Sequence, residues 1–145
     1  MSQFIGTSMK RGHAGELTRG YFDHTVESRL NDGSVKAFGV PVVVKGDKVG
    51  ATTATSEATL VYGFAVRQYG QANIDGTQDQ SAVAIMRRGY MAVPVEGGTP
   101  AFGTQVYLDS TGKVTAEQSS NTAIPGCLFL GAKDADGLVE ISFNI

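Results

Sequence analysis

The clearest pattern lies at the C-terminus. In "GLVEISFNI", Val139, Ile141, Phe143 and Ile145 alternate with Leu138, Glu140, Ser142 and Asn144. A period of two predicts a strand with one buried face, and putting Phe143 and Ile145 in the core ties down the chain end. "SAVAIMRRGYMAVPV" carries a similar signal, with Val83, Ile85, Met91, Val93 and Val95 on one parity. Arg87 and Gly89 interrupt that face, and a bulge or bend at Gly89 resolves the conflict. "QVYLDSTGKVT" reads as strand, turn, strand. Asp109 suits the first turn position, and Gly112 suits the positive φ of a type I turn with a G1 bulge. A second hairpin is expected around Asp136-Gly137.

Upstream, "AFGVPVVVKGD" predicts a strand ending in a turn over Lys45-Gly46-Asp47-Lys48, and Pro41 marks an edge strand or a strand start. "ATTATSEATL" fits a loop or a short helix. "LVYGFAVRQYG" is apolar and aromatic, with Gly63 at a possible bulge. Residues 1–36 differ: isolated apolar positions (Leu17, Tyr21, Phe22, Val26, Leu30) sit among small and charged ones, with neither period sustained. We read residues 1–36 as an extended arm that orders on a partner and residues 37–145 as the folded domain. Amphipathic helix longer than two turns, heptads and fixed repeats are not seen. The class expected is mainly β, a compact antiparallel barrel or sandwich, jelly-roll-like, with an extended N-terminal arm.

Composition sharpens this picture. A chain of 145 residues suits one domain and buries enough surface to fold without a staple. Its 19 glycines are spread evenly, which fits many turns between short strands. Charged residues make up 18%, below the usual ~25%, so part of the surface is either covered by a partner or built from Gly, Ala, Ser and Thr. A net charge of -2 provides no basic field for nucleic acid. No segment approaches the ~18–20 apolar residues of a membrane span, and no h-region follows the first charges, so a soluble protein made in the cytoplasm is expected.

Candidate chemistry is sparse. Cys127 stands alone in "CLFL" and reads as a buried structural thiol. His13 and His24 lie in the glycine-rich arm, where solvated polar roles outweigh a metal site needing three or four convergent ligands. "LDSTG" resembles an aspartic-protease loop only superficially, because two residues separate Asp109 from Gly112; as a turn it needs no further explanation. There is no G-x-S-x-G elbow, phosphate-binding glycine loop or EF-hand loop. Cofactor and metal are not expected. Arg87 and Arg88 fit protein-facing contacts.

The order of "VAIMRRGYMAVPVEGGTPAFGTQVYLDSTGKVT" and "TAIPGCLFLGAKDADGLVEISFNI" resembles the structural cement, or head decoration, proteins of tailed bacteriophages. The matching stretches are Ile85 to Val95, Gly103 to Tyr107, Asp109 to Gly112 and Gly137 to Phe143, preceded by the entry "AFGVPVVV". The resemblance implies a virion protein on the outside of the capsid, bridging neighbouring major capsid subunits. Its partners would be the major capsid protein and other copies of itself, with a homodimer favoured over a homotrimer on a symmetric shell. The contact residues expected are Phe4, Ile5, Arg11, Leu17, Arg19, Tyr21, Phe22 and Arg29 of the arm, with Arg87 and Arg88 of the domain. The alternatives are another β-rich virion part, such as a tail-tube or head-completion protein, or a small glycan-binding or hydrolytic β-sandwich.

Overall fold

A computed structural model of the chain describes residues 12–68 and 81–145. The strands are β1 Thr25–Leu30, β2 Pro41–Lys45, β3 Lys48–Ala51, β4 Val61–Ala65, β5 Ala82–Pro94, β6 Gln105–Leu108, β7 Val114–Thr115, β8 Thr122–Phe129 and β9 Leu138–Phe143. Short 3-10 turns cover Tyr21–Asp23 and Thr55–Leu60. The strand order is β3-β2-β4-β5-β9-β8-β6-β7, with β1 also on β5, and every ladder is antiparallel. The mainly β class read from alternation is therefore the observed one, as a curled antiparallel sheet.

Strand β5 organises the molecule. It is 13 residues long, and its two halves belong to different sheets. The first half pairs with β1 and β4, and the second with β9. Thr25 faces Arg88 while Val26 faces Met86, which leaves Arg87 as the extra, bulged residue. The bulge shifts the phase of the strand. Val83 and Ile85 point into a small core with Val35, Val42, Val49 and Ala65. Met91, Val93 and Val95, on the same parity, point into a large core with Phe64, Leu108, Ile124, Phe129, Ile141 and Phe143. A single parity thus serves two cores. The bend expected at Gly89 is present as a φ of 141° two residues past the bulge.

Each half curls until its ends meet. In the first, Asn31 bridges Val49 of β3 and Asp32 N donates to Val49 O at 2.9 Å. In the second, Glu96 N donates to Val114 O at 2.9 Å and Ala116 N to Gly97 O at 3.0 Å, bringing the end of β5 against β7. Curling covers edges that would otherwise be open to aggregation. In the large core Phe64 meets Phe143 edge to face, centroids 5.3 Å apart.

The turns follow their residues. β2 and β3 join through Gly46-Asp47, with Gly46 at φ 67° in the first loop position as a type II′ turn requires. Pro41 opens β2, so its missing N–H costs no interior ladder bond. Between β6 and β7, Gly112 N donates to Asp109 O at 3.1 Å and Gly112 takes φ 82°. Asp109 Oδ1 accepts from the Thr111 and Lys113 amides, both at 2.9 Å. Asp134 to Gly137 repeats the device, with Asp134 Oδ1 accepting from the Asp136 and Leu138 amides.

The C-terminal strand departs from expectation in two respects. Ile145 is 58% exposed, not core. Asn144 adopts φ 57°, its amide donates to Gly126 O and its side chain to Arg87 O, and this turns the last residue outward. β9 is also buried on both faces, apart from Glu140. At Glu140 the strand meets Thr18 and Arg19 of the N-terminal segment.

Candidate interaction surface

The N-terminal segment runs antiparallel along β5, with residues 15–18 beside Tyr90 to Ala92 and β1 beside Ala82 to Arg88. Gly15 N donates to Ala92 O at 2.8 Å, Ala92 N to Glu16 O at 3.0 Å and Thr18 N to Tyr90 O at 3.3 Å. Leu17 bridges Met91 and packs, partly buried, against the large core. Gly20 to His24 link these two stretches and pack on Gly89. A Cβ on Gly89 would stand 2.3 Å from His24 Cδ2 and 3.2 Å from Asp23 O, so only glycine leaves room for this link. His24 is wedged between this link and β5 and is not a solvated side chain: its ring nitrogens lie 3.0 Å from Gly20 O and from Tyr90 O. The segment then enters β1.

Two polar knots fasten it. In the first, Glu140 Oε2 accepts from Thr18 Oγ1 at 2.5 Å and from Arg19 Nε at 3.0 Å, while Arg19 Nη2 donates to Oε1 at 3.3 Å. The Arg19 guanidinium lies 4.2 Å from the centre of the Tyr90 ring, and the hydrogen bond to Glu140 raises its already high pKa. In the second, Glu27 accepts from the Tyr62 hydroxyl and, at 3.0 Å, from Arg29 Nε. Arg87 stacks 3.7 Å from the Tyr62 ring centre with Nη1 3.7 Å from Glu27. The Tyr62 hydrogen bond, and then that of Arg29, holds the Glu27 carboxyl below its ordinary range.

Of the predicted contact residues, the structure brings Arg29 and Arg87 together on Glu27 and sends Arg19 to Glu140. Arg88 stands apart, with Nη1 3.5 Å from Asp23 O. Phe22 is 85% exposed on the 3-10 turn that includes Tyr21. Phe4, Ile5 and Arg11 lie outside the described residues. Beyond Phe22 the exposed surface continues along β1, whose burial is slight on both faces, with Val26 at 42% and Leu30 at 51% exposed. Sequence reasoning missed Glu27, Tyr62, Glu140 and Tyr90. The available signal was a charged Glu27 and Arg29 on one parity of a segment that also places Val26 and Leu30 on the other, which is a strand pattern.

Nothing in this arrangement assembles reaction chemistry. Among the described residues no group of three or more His, Cys, Asp or Glu side chains is placed to hold a metal ion. Cys127 is fully buried, and desolvation pushes its thiol far above the ordinary value. The exposed surface here is a strand and a turn that carry apolar and cationic side chains.

Comparison with known proteins decides the class. The family model of the phage structural cement proteins matches residues 1–144. The chain belongs to the phage structural cement protein family. A chain in a solved structure titled "The capsid of Myoviridae Phage XM1" superposes with a TM-score of 0.77. It is 18% identical, and the match covers 99% of this chain and 97% of that one, so the cement fold is shared over its length. A search among curated proteins found no match. Family membership assigns this cement protein a structural role in association with the capsid, in the virion, and a non-enzymatic one.

Proposed function

We propose that the chain binds the outer surface of the phage head and bridges adjacent major capsid subunits. The observation that carries this reading is β1 with the turn before it. Six residues of strand make little core, yet Phe22, Val26 and Leu30 stand exposed along them beside Arg88. Apolar and arginine side chains held on a fixed backbone are the usual anchors of a protein interface. Phe4, Ile5 and Arg11 extend the contact onto a neighbouring subunit, and Tyr21 lies between the two regions. Leu17 and Arg19 hold the segment to the body, while Arg29 and Arg87 flank β1 on its charged face. Copies pair on the shell, a homodimer at two-fold positions before a homotrimer, and repetition over the lattice makes modest affinity per copy sufficient.

The test is co-sedimentation with expanded capsids that lack the protein. The expected result is saturable binding at a fixed ratio to the major capsid protein. A double substitution, Phe22→Ala with Arg88→Glu, is expected to weaken it at least about tenfold, the loss of one good anchor. A native-like protein that ignores the capsid would remove the reading.

A further inference from the structure

Two features on opposite elements of the described residues match each other in size and polarity. The first is Phe102. It is 79% exposed at the tip of the loop between β5 and β6, yet the loop is held rigidly. Thr104 N donates to Ala101 O at 3.1 Å across a two-residue turn, and Gly103 at φ 84° takes the left-handed position of a type II turn. Thr104 Oγ1 donates to Ala101 O at 2.8 Å and accepts from Ala101 N at 3.2 Å. Gly103 N donates to Phe129 O at 2.8 Å and Phe129 N to Thr104 O at 2.9 Å, so the turn is stitched to the end of β8. Pro100 is buried on its other flank. A mobile loop tip would expose an aromatic ring without consequence. Here the ring is presented in a set position, so little ordering entropy would be lost when it is covered.

The second is a groove of ≈ 200 Å³ between the two sheets, lined by Ala37, Val40, Pro41, Pro94 and Val114 and mainly apolar. Cavities of about 150 Å³ with apolar walls hold a benzene ring. Its two charged lining residues, Glu96 and Lys113, pair with each other at 3.4 Å on the rim. The knob loop, Gly97 to Thr104, carries no charge at all. Charge therefore matches on both sides: seating the loop against the groove strands no unpaired ion, which is the usual obstacle to burying such a contact.

We propose that Phe102 of one copy seats in this groove of a second copy. The knob and the hole are different patches of one chain, so the contact either closes reciprocally in a two-fold pair or repeats head to tail. It concerns copy-to-copy contact in solution and stands whichever capsid site the chain occupies.

The experiment is light scattering coupled to chromatography up to ~1 mM protein, where even a millimolar affinity is read. The native chain is expected to self-associate. Phe102→Ala removes the knob, and Ala37→Trp fills the groove from an exposed position. Each alone is expected to weaken self-association at least about tenfold, the size of one lost aromatic anchor. A one-to-one mixture of the two is expected to associate better than either, since one supplies the intact groove and the other the intact ring. Both positions are exposed, and unchanged circular dichroism and melting confirm that the variants fold. A native chain that stays monomeric throughout, a Phe102→Ala chain that associates like the native one, or a mixture no better than its components each overturns the proposal. Capsid binding lost in Phe102→Ala with self-association intact also overturns it and assigns the ring to the shell.

Discussion

Gly89→Ala isolates the close approach of Asp23 and His24 to β5. Two effects add. At φ 141° an L side chain is strained, at about 1–3 kcal/mol. The new Cβ also lies 2.3 Å from His24 Cδ2 and 2.9 Å from Cγ, so the imidazole must move. Moving it breaks the contacts to Gly20 O and Tyr90 O and overpacks the strand face, at about 1–3 kcal/mol more. The sum, roughly 2–6 kcal/mol, is a large part of the ~5–15 kcal/mol that holds a domain together. Urea unfolding measures it. Adding His24→Ala to Gly89→Ala removes the clash and leaves the φ strain, so the double substitution should be more stable than the sum of the two singles predicts, by about 1 kcal/mol or more. A Gly89→Ala chain within about 0.5 kcal/mol of native, or a pair that adds without coupling, would refute the argument that glycine is there to let His24 pack against the strand.

Gly112→Ala should be at least as damaging as Gly89→Ala, because its Cβ would meet Thr52 O at 2.2 Å and Thr53 N at 2.6 Å, and backbone yields less than a side chain; thermal melting reads the loss. Phe143→Ala opens the large core opposite Phe64 and should cost about 3–5 kcal/mol in urea unfolding. Glu27 has its folded pKa lowered by the Tyr62 hydroxyl and by Arg29, so its contribution is present above the ordinary glutamate value of 4.5 and is lost as pH falls through the folded value. Acid unfolding of Tyr62→Phe should accordingly show a shallower loss of stability below that pH than the native chain. Cys127 should resist a thiol reagent in the folded protein and react fully in urea, since it is buried and its thiol is pushed far up.

Alternation along the chain determined much of this protein. The period of two in Val139, Ile141 and Phe143 yielded a buried strand because successive side chains of extended backbone must face opposite ways. Asp109 and Gly112 specified their turn locally, through one carboxylate and one positive φ. The interruption at Arg87 and Gly89 was legible as a bend. Its meaning was not: the two halves of β5 face two cores, and that depends on which strands lie on either side. The same holds for residues 12–30. Their isolated apolar positions carry no period because Leu17 packs beside Met91 on the large core, Gly20 to His24 pack on Gly89 off any strand, and only then does β1 pair with the first half of β5. Arg19 and Glu140 are paired across 121 positions of sequence, and Glu27 meets Tyr62 across 35. Contacts of that range are set by how the sheet curls, and no local pattern encodes them. Which arginines pair within the chain, and that Phe102 stands outside while Ile145 turns away from the core, were decided by tertiary structure alone, because exposure is a property of what neighbouring strands leave uncovered.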